Sequence, residues 1–307
     1  MTVGVVVMAY GTPSGPDQIE AYYTDIRRGR PPEPAQLAEL VGRYDAIGGI
    51  SPLAQRTRAQ LDAIAAALDA AEPGRFTVRL GQKHAAPFIE DGVAELLADG
   101  VEQVVGLVLA PHWSAFSVGQ YHARAASAAA TRSTPFAGID SWHLLPELLD
   151  FQAAAVRRAL EDLPERTKVV FTAHSLPERV LVDDPYPDQL HESAEATAER
   201  VGLTRWAGWG LGWQSAGRTP EPWRGPDILA VIRDLADTGR ADGVLVVPQG
   251  FTSDHLEVLY DLDIEARALA QSVGLAFART DVVNADPAVM GALADLVRGT
   301  AGATPTD

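Results

Sequence analysis

The stretch "VVFTAHSLPERV", residues 169–180, is an apolar, β-branched run that ends in a histidine and passes into a polar loop. Three further runs have the same plan: "VGVVVMAYGTP" (3–13), "VVGLVLAPHWS" (104–114) and "GVLVVPQGFTS" (243–253). Short continuous apolar runs of this kind are typical of parallel strands that are buried on both faces. The four runs therefore predict the central strands of parallel sheets, each of which ends in a polar loop.

Amphipathic, alanine-rich segments of helical length lie between these runs, among them residues 52–71, 88–100, 148–163 and 226–239. Alternation of strand and helix predicts an α/β fold with doubly wound parallel sheets. One plan, a helix, a glycine turn, a strand and then a proline, occurs at residues 92–113 and again at 227–251. We therefore predict two similar α/β domains, residues 1–148 and 149–307, with a cleft between them. Packing of the last helix back on the first domain stays open.

In doubly wound sheets, ligands bind outside the carboxyl ends of the strands. Four polar residues fall at such strand ends: Tyr10, His112, His174 and Gln249. We expect their side chains to point into the cleft, where they could contact a ligand.

The composition excludes several classes of protein. The chain of 307 residues has no cysteine, so disulfides, thiolate nucleophiles and cysteine-held metal centres are excluded, and a cytoplasmic location is expected. A formal net charge of -16 argues against a nucleic-acid partner, because phosphate binding needs a basic surface. No apolar run approaches the roughly 18 residues that a transmembrane segment needs. Walker A, G-x-G-x-x-G, G-x-S-x-G and H-E-x-x-H motifs are absent, so nucleotide-dependent and serine-hydrolase functions lose their usual support.

One basic segment, "DIRRGRPPEP" (25–34), stands against this acidic background. Only two of the 25 cationic residues are lysines, Lys83 and Lys168, so recognition of carboxylates would fall to arginine, which binds them in a bidentate fork. Compositional bias explains the arginine excess equally well.

A row of carboxylates follows the last apolar run. If residues 253–269 form an α-helix, Glu257, Asp261 and Glu265 lie on one face, about 6 Å apart along the axis. Like charges at that spacing repel each other, so the row suggests a use such as passing a hard divalent cation. A solvated acidic face is the alternative. His174 is similarly open to two interpretations, a hydrogen-bonded core histidine or a partner for one of these carboxylates.

Two other segments are unusual. In "RYDAIGGISPLAQRT" (43–57), Ser51 is a natural N-cap for a helix that opens at Pro52, and such a terminus can receive an anion. The stretch "GWGLGWQSAGRTPEPWRGPD" (208–227) is predicted to be a loop. It could wall a flat apolar ligand or form a surface lid packed on itself.

Nine segments resemble the ferrochelatases, in order and over nearly the whole chain. They are "AYGTP" (9–13), "YYTDIRRGRPPEP" (22–34), "RYDAIGGISPLA" (43–54), "GQKHAAPFIED" (81–91), "LAPHWSAFSVGQY" (109–121), "FTAHSLPE" (171–178), "DPYPDQLHES" (184–193), "GWQSAGRTPEPWRGPD" (212–227) and "GFTSDHLEVLYDLDIE" (250–265). The likeness is closest to the soluble bacterial branch that acts on coproporphyrin III. It implies two chelatase-like domains with the porphyrin in the cleft.

The resemblance also implies roles for individual residues. His174 and Glu257 match the inner metal-handling and catalytic pair of the family, and Asp261, Glu265 and His84 look like its outer metal site. Tyr10 matches an axial ligand to the iron of the product. The residues that match positions lining the porphyrin and its propionates are Arg27, Arg43, Tyr44, Ser51 and Tyr121, with Thr12 and Ser215 assisting.

By this resemblance the expected function is that of a lyase of haem biosynthesis. It would insert Fe²⁺, a substrate, into coproporphyrin III to give Fe-coproporphyrin III and release two pyrrole protons. No resident cofactor is expected. A divalent ion could bind at the outer carboxylates, and a downstream haem-pathway enzyme could take the product. The [2Fe-2S] cluster of some relatives is excluded because its ligands are cysteines. Insertion into protoporphyrin IX, insertion of another metal, and a non-catalytic tetrapyrrole carrier remain alternatives.

Overall fold

The computed structural model describes residues 1–204, 208–217 and 219–301, which form two compact units. The first unit contains residues 1–111, 115–141 and the chain from Asn284 onward, and the second contains residues 112–114 and 142–283. Both units are α/β, as predicted.

The first unit is built on four strands and five helices before the chain leaves it. In order these are β1 (Val3–Ala9), α1 (Ile19–Ile26), α2 (Pro34–Ala46), α3 (Leu53–Ala71), β2 (Phe76–Gln82), α4 (Ile89–Ala98), β3 (Gln103–Val108), α5 (Val118–Ala130) and β4 (Phe136–Ile139). A 3₁₀ turn at Pro16–Gln18 precedes α1.

The second unit repeats the alternation of strand and helix. Its elements are α6 (Pro146–Leu160), β5 (Thr167–His174), α7 (Tyr186–Val201), β6 (Trp209–Gln214), α8 (Ile228–Thr238), β7 (Gly243–Val247), a π-helix (Val258–Ala266), α9 (Arg267–Ser272) and β8 (Ala276–Arg279). A 3₁₀ turn at Glu178–Val180 follows β5.

The two sheets have the same strand order. All pairs are parallel, in the order β2-β1-β3-β4 in the first unit and β6-β5-β7-β8 in the second. The chain moves to one side of its first strand and then to the other, so the order reverses at β1 and at β5. Ligands of open α/β sheets bind outside the carboxyl ends of the strands at this reversal. Tyr10 follows β1 directly and His174 ends β5, so both occupy that position.

The central strands are buried on both faces, as their continuous apolar sequences predict. In β7, Val244 and Val246 pack with α8 and the π-helix, whereas Leu245 and Val247 pack on the opposite face with residues of α6, α7 and β6. Successive side chains of a strand point to opposite faces, so one strand holds two helical layers. This core fixes the carboxyl ends of the strands, where the candidate functional residues lie.

The last helix, α10 (Pro287–Thr300), belongs to the first unit. It packs against α3, and Arg298 binds Glu72 at 2.9 Å between Nε and Oε1. The units differ from the predicted halves in that residues 112–114 belong to the second unit and the chain enters that unit at Trp142 rather than at 149. The packing of the last helix on the first unit, which the sequence left open, is what the structure has.

One predicted loop is partly a strand. Residues 209–214 of the tryptophan-rich stretch form β6, the edge strand that pairs with β5. Within the rest of this stretch, Trp223 Nε1 donates a hydrogen bond to Thr219 Oγ1 at 2.9 Å, so that part is packed on itself. Arg218 lies outside the described residues. Of the helices that the structure describes, none is long and apolar enough to cross a membrane.

Candidate functional site

His174 ends β5 with one ring nitrogen committed to the backbone. Its Nδ1–H donates to the carbonyl oxygen of Ser175 at 2.5 Å, so the tautomer is fixed and Nε2 is directed at Glu257. Nε2 lies 3.6 Å from Glu257 Oε1, an ion-pair distance that exceeds hydrogen-bond length. About a third of each side chain is exposed. The imidazole is thus accessible as well as oriented.

Glu257 lies between two imidazoles. Its second oxygen, Oε2, is 3.6 Å from His255 Nε2, and His255 Nδ1 donates to the carbonyl of Ser253 at 2.9 Å. Gln214, at the end of β6, donates a hydrogen bond from Nε2 to the backbone carbonyl of Glu257 at 3.2 Å. These contacts fix the carboxylate beside the end of β5.

The pair of His174 and Glu257 is electrostatically coupled. Burial lowers the pKa of His174, but Glu257 outweighs this effect and raises the pKa to about 9. Burial likewise raises the pKa of Glu257, but His174 and His255 hold it below its ordinary value. The resting pair is therefore an imidazolium and a carboxylate at neutral pH.

The acidic segment is not the α-helix that its sequence predicts. Residues 258–266 form a π-helix, which widens the helix by using i to i+5 hydrogen bonds. Its buried side chains include Val258, Leu262 and Ala266, whereas Ile264 is 36% exposed. The sequence misses this because apolar residues four apart suit either kind of helix.

Asp261 and Glu265 both lie on this π-helix. Asp261 is buried, and its Oδ2 accepts a hydrogen bond from Ser215 Oγ at 2.5 Å. Glu265 is half-buried. Within the described residues, His, Asp and Glu side chains form no group of three or more that could hold a metal ion. The metal residues predicted in this unit are therefore the pair of His174 and Glu257, with the carboxylates of Asp261 and Glu265 further along the same helix.

The corresponding edge of the first unit carries Tyr10 and His84. Their rings lie 4.7 Å apart between centroids, and the Tyr10 side chain is 43% exposed. His84 Nδ1 is 2.7 Å from Asp25 Oδ2. Burial lowers the pKa of His84 in spite of this carboxylate. The predicted axial ligand and one predicted metal residue are thus neighbours.

Lys83 is a residue of this edge that sequence analysis did not assign to the site. Its Nζ lies 5.1 Å from the centre of the Tyr121 ring, a cation–π contact. Burial, together with Arg124 and Arg28, lowers the pKa of Lys83 to about 8. Tyr121 is buried, and burial raises its pKa. The sequence did contain a signal for Lys83, because this residue directly precedes His84 and is one of only two lysines in the chain.

Thr12, Tyr44 and Ser51 are buried in the first unit. Thr12 Oγ1 lies 3.5 Å from Tyr44 Oη. Gly48 and Gly49, with φ of 100° and 97°, end α2 in a left-handed conformation that favours glycine.

Ser51 contacts the start of the next helix, which begins one residue later than predicted. Helix α3 begins at Leu53 instead of Pro52, and the Ser51 hydroxyl accepts from the Leu53 amide at 3.2 Å. The predicted capping contact is therefore present with a shifted boundary.

Arg27 and Arg43 occupy the ends of two helices of the first unit. Arg27 ends α1, where its guanidinium lies 5.5 Å from the centre of the Tyr23 ring and Nε donates to the Arg30 carbonyl at 3.3 Å. Arg43 is in the last turn of α2. Both are positively charged groups on the unit that carries Tyr10.

Two residues expected to face a ligand are buried instead. His112 and Gln249 are each 3% exposed, and both contact Ser193 Oγ, at 2.8 Å from His112 Nε2 and 3.0 Å from Gln249 Oε1. Through Ser193 of α7, His112 joins that helix to the segment after β3, and Gln249 joins it to the loop after β7. Position at a strand end is therefore insufficient, because the side chain can turn into the core.

Solved structures with the same fold include a sirohydrochlorin chelatase. Alignment with SirB from Bacillus subtilis with Fe³⁺ gives a TM-score of 0.59 at 13% identity, covering 98% of this chain and 96% of that one. CbiX, the terminal enzyme of sirohaem synthesis in denitrifying bacteria, gives 0.54 at 14% identity, covering 97% and 99%. Identity this low shows the fold alone. The chain therefore has a chelatase-like α/β fold, with a histidine–carboxylate pair at a strand end.

Sequence relatives narrow this class. The family model for ferrochelatase matches residues 2–301. Coproporphyrin III ferrochelatase from Geobacillus thermodenitrificans is 44% identical over 303 residues, covering 96% of this chain and 95% of that protein. The coproporphyrin III ferrochelatase of Bacillus subtilis is 43% identical over 302 residues, covering 96% of both. The chain belongs to the ferrochelatase family. Because it has no cysteine, it holds no cysteine-ligated [2Fe-2S] cluster.

Proposed function

We propose that this enzyme inserts Fe²⁺ into coproporphyrin III and releases two pyrrole protons. The observation that carries the proposal is the pair of His174 and Glu257, an imidazole and a carboxylate 3.6 Å apart at the end of the strand where the sheet order reverses. Relatives 42–44% identical to this chain are named for that porphyrin.

The coupled pair suits a reaction in which a metal ion replaces protons. At neutral pH His174 holds a proton because Glu257 stabilises the imidazolium. A dication that approaches Glu257 repels that proton, which passes to solvent at the exposed part of the ring, so His174 becomes a neutral imidazole with a free Nε2 lone pair. The same nitrogen can then bind the ion or accept a pyrrole proton.

Two protons must leave the porphyrin for each Fe²⁺ that enters. His174 can accept one, and Glu257 connects it to His255, whose Nε2 faces the other carboxylate oxygen. Both gaps are 3.6 Å, so a proton passes along this chain of imidazole, carboxylate and imidazole once each gap closes to hydrogen-bond length or a water bridges it. We infer that Glu257 carries protons from His174, which accepts them from the porphyrin, to His255.

The first unit supplies groups suited to the porphyrin. Coproporphyrin carries four propionates, and Arg27 and Arg43 offer the bidentate guanidinium that binds carboxylates well. Tyr44, Ser51, Tyr121, Thr12 and, from the second unit, Ser215 complete the proposed porphyrin-binding set. Tyr10, exposed at the end of β1, is proposed as the axial ligand to the iron of the product.

Asp261 and Glu265, with His84, are proposed to handle the metal ion outside the inner pair. Both carboxylates follow Glu257 on the π-helix, and oxygen ligands suit hard divalent cations. A divalent ion bound there, transfer of the product to a downstream enzyme and a cytoplasmic location stay predictions.

Anaerobic incubation with Fe²⁺ and either coproporphyrin III or protoporphyrin IX, followed by absorbance, tests the function. We expect the metalloporphyrin spectrum to form much faster with coproporphyrin III. Faster insertion into protoporphyrin IX would reassign the substrate. Tight porphyrin binding without insertion of Fe²⁺, Co²⁺ or Zn²⁺ would identify a carrier.

A further inference from the structure

The acidic segment contains two kinds of carboxylate. Its sequence offers five: Asp254, Glu257, Asp261, Asp263 and Glu265. Glu257 faces two imidazoles and Asp261 accepts from a serine hydroxyl, as described above. Asp254 and Asp263 instead share one arginine, Arg279, the last residue of β8, and Asp263 also lies 3.5 Å from Nη2 of Arg267, the first residue of α9.

Arg279 binds these two carboxylates in a defined geometry. Its Nε and Nη2 donate to Asp263 Oδ1 and Oδ2, each at 2.9 Å, which is a bidentate fork. Nη2 also donates to Asp254 Oδ1 at 3.0 Å, and Nη1 donates to the Thr280 carbonyl at 3.1 Å. The Arg279 side chain is only 14% exposed. Bidentate arginine–carboxylate contacts are short and directional, so this cluster holds its members in orientation as well as in place.

The two attachment points lie on either side of the groups proposed to do the chemistry. Asp254 precedes the helix and Asp263 lies within the π-helix, so Glu257 and Asp261 lie between them along the chain. Arg279 itself is fixed on β8, which pairs with β7. The segment that carries Glu257 is therefore tied at both ends to the sheet from which it emerges.

A π-helix of this length needs such support. π-Helical hydrogen bonding occurs mostly as single-turn bulges inside α-helices, whereas this one runs through nine residues. Relaxation to an ordinary α-helix would rotate each carboxylate away from its present direction. A fork to Asp263 from outside the helix opposes that rotation.

We propose that Arg279 is a positioning residue: by binding Asp254 and Asp263 it holds the π-helix in the turn that directs Glu257 and Asp261 at the incoming metal ion. This inference rests on the proposed function, since it concerns the same metal-handling groups. Groups that orient metal ligands from outside commonly cost tenfold to a hundredfold in metal affinity or activity when they are replaced.

The substitution that tests this is Arg279→Lys, which keeps the charge but removes the fork. We expect the KM for Fe²⁺ to rise about tenfold or more, while the Kd for coproporphyrin III stays within twofold of wild type. Asp263→Asn should give the same pattern, and the double variant should be little worse than either single one, because both remove one contact.

Arg298→Lys is the matched control. Arg298 also binds two carboxylates, Glu72 and Asp295, at 2.9 and 2.7 Å, but it lies on α10 in the first unit. The kinetics of the Arg298→Lys enzyme should remain those of the wild type. Unchanged kinetics in Arg279→Lys would overturn the inference, and so would losses of porphyrin affinity and rate in proportion to lost stability.

Hydrogen exchange of the enzyme without substrates provides a readout that does not depend on the reaction. Amides of residues 256–266 should exchange faster in Arg279→Lys than in wild type, with α8 unchanged. Equal exchange would overturn the inference even if the enzyme proves to be a ferrochelatase. Absence of insertion by the wild-type protein would instead refute the proposed function and leave the exchange result valid.

Discussion

The carboxyl edges of the two sheets share a topology and differ in chemistry. Each sheet reverses its strand order at the first strand, and each places a polar ring there, Tyr10 after β1 and His174 at the end of β5. Beside Tyr10 lies His84, which pairs with Asp25, and the next residue, Lys83, lies over the Tyr121 ring. Beside His174 lie Glu257 and, on the other side of that carboxylate, a second imidazole. The repeated fold therefore supplies two equivalent positions, and the side chains there differ enough that we propose anion and ring binding for the first and the inner metal-handling pair for the second.

Removal of the His174 imidazole should have the largest effect. We expect His174→Ala to lower the rate of Fe²⁺ insertion about a thousandfold, because it removes both the proton acceptor and a metal ligand. Binding of coproporphyrin III, followed by fluorescence quenching, should change little. His191→Ala, which removes an exposed imidazole on α7, is the control. Substantial turnover by His174→Ala would contradict the proposal that the edge with His174 handles the metal ion and the protons.

Glu257→Gln should cost about a hundredfold in kcat, since the amide keeps the shape but neither stabilises the imidazolium nor carries a proton. Single-turnover absorbance measures the chemical step directly. The exposed Glu199→Gln on α7 should be silent. A kcat close to wild type would assign proton transfer to other groups of the second edge.

Arg43→Ala tests the opposite edge. Loss of one charged contact to a propionate should weaken the affinity for coproporphyrin III roughly tenfold, with kcat at saturating porphyrin nearly unchanged. Arg58→Ala, an exposed arginine on α3, serves as the control in the same titration. An affinity equal to wild type would remove Arg43 from the propionate-binding set.

The smallest expected effect is on stability. His174 has a pKa of about 9 when folded and 6.5 when free, so its contribution is complete below pH 6.5 and is lost as the pH rises through 9. Glu257, with its pKa held below 4.5, contributes above that pH and loses its contribution on acidification. The wild type should therefore exceed Glu257→Gln in free energy of unfolding near pH 6, by about 1 kcal/mol or less because the pair is a third exposed. Urea titrations at pH 6 and pH 10 should show this difference shrinking; a constant difference would contradict the coupling.

Much of the fold was predictable because buried parallel strands have a simple sequence signature. Runs such as 104–108 and 243–247 are continuously apolar, and their strand assignments are confirmed. Strand β6 was missed because glycine and tryptophan dominate it, and tertiary pairing with β5 decides its conformation. The π-helix was missed for a related reason, since it depends on contacts with Arg279, a residue distant in sequence.

The candidate site was predictable where chemistry and position coincided. His174 and Glu257 were expected to meet, and the structure brings them to 3.6 Å. The sequence did not point to His255, which stands two residues before Glu257. A spacing of four residues selects side chains on one face of a helix, whereas His255 lies just before the helix and contacts Glu257 from there. Tautomer, burial and pairing of carboxylates depend on three-dimensional neighbours, which no single segment encodes.

The placement of α10 has a consequence for how the chain is made. The first unit begins at the N-terminus but needs the C-terminal helix to cover α3. During synthesis, residues 142–283 leave the ribosome before that helix does, so the second unit can reach its native contacts while the first still exposes an apolar groove. The unit whose first strand is translated first is therefore completed last, and removal of α10 should harm the edge that carries Tyr10 before the edge that carries His174.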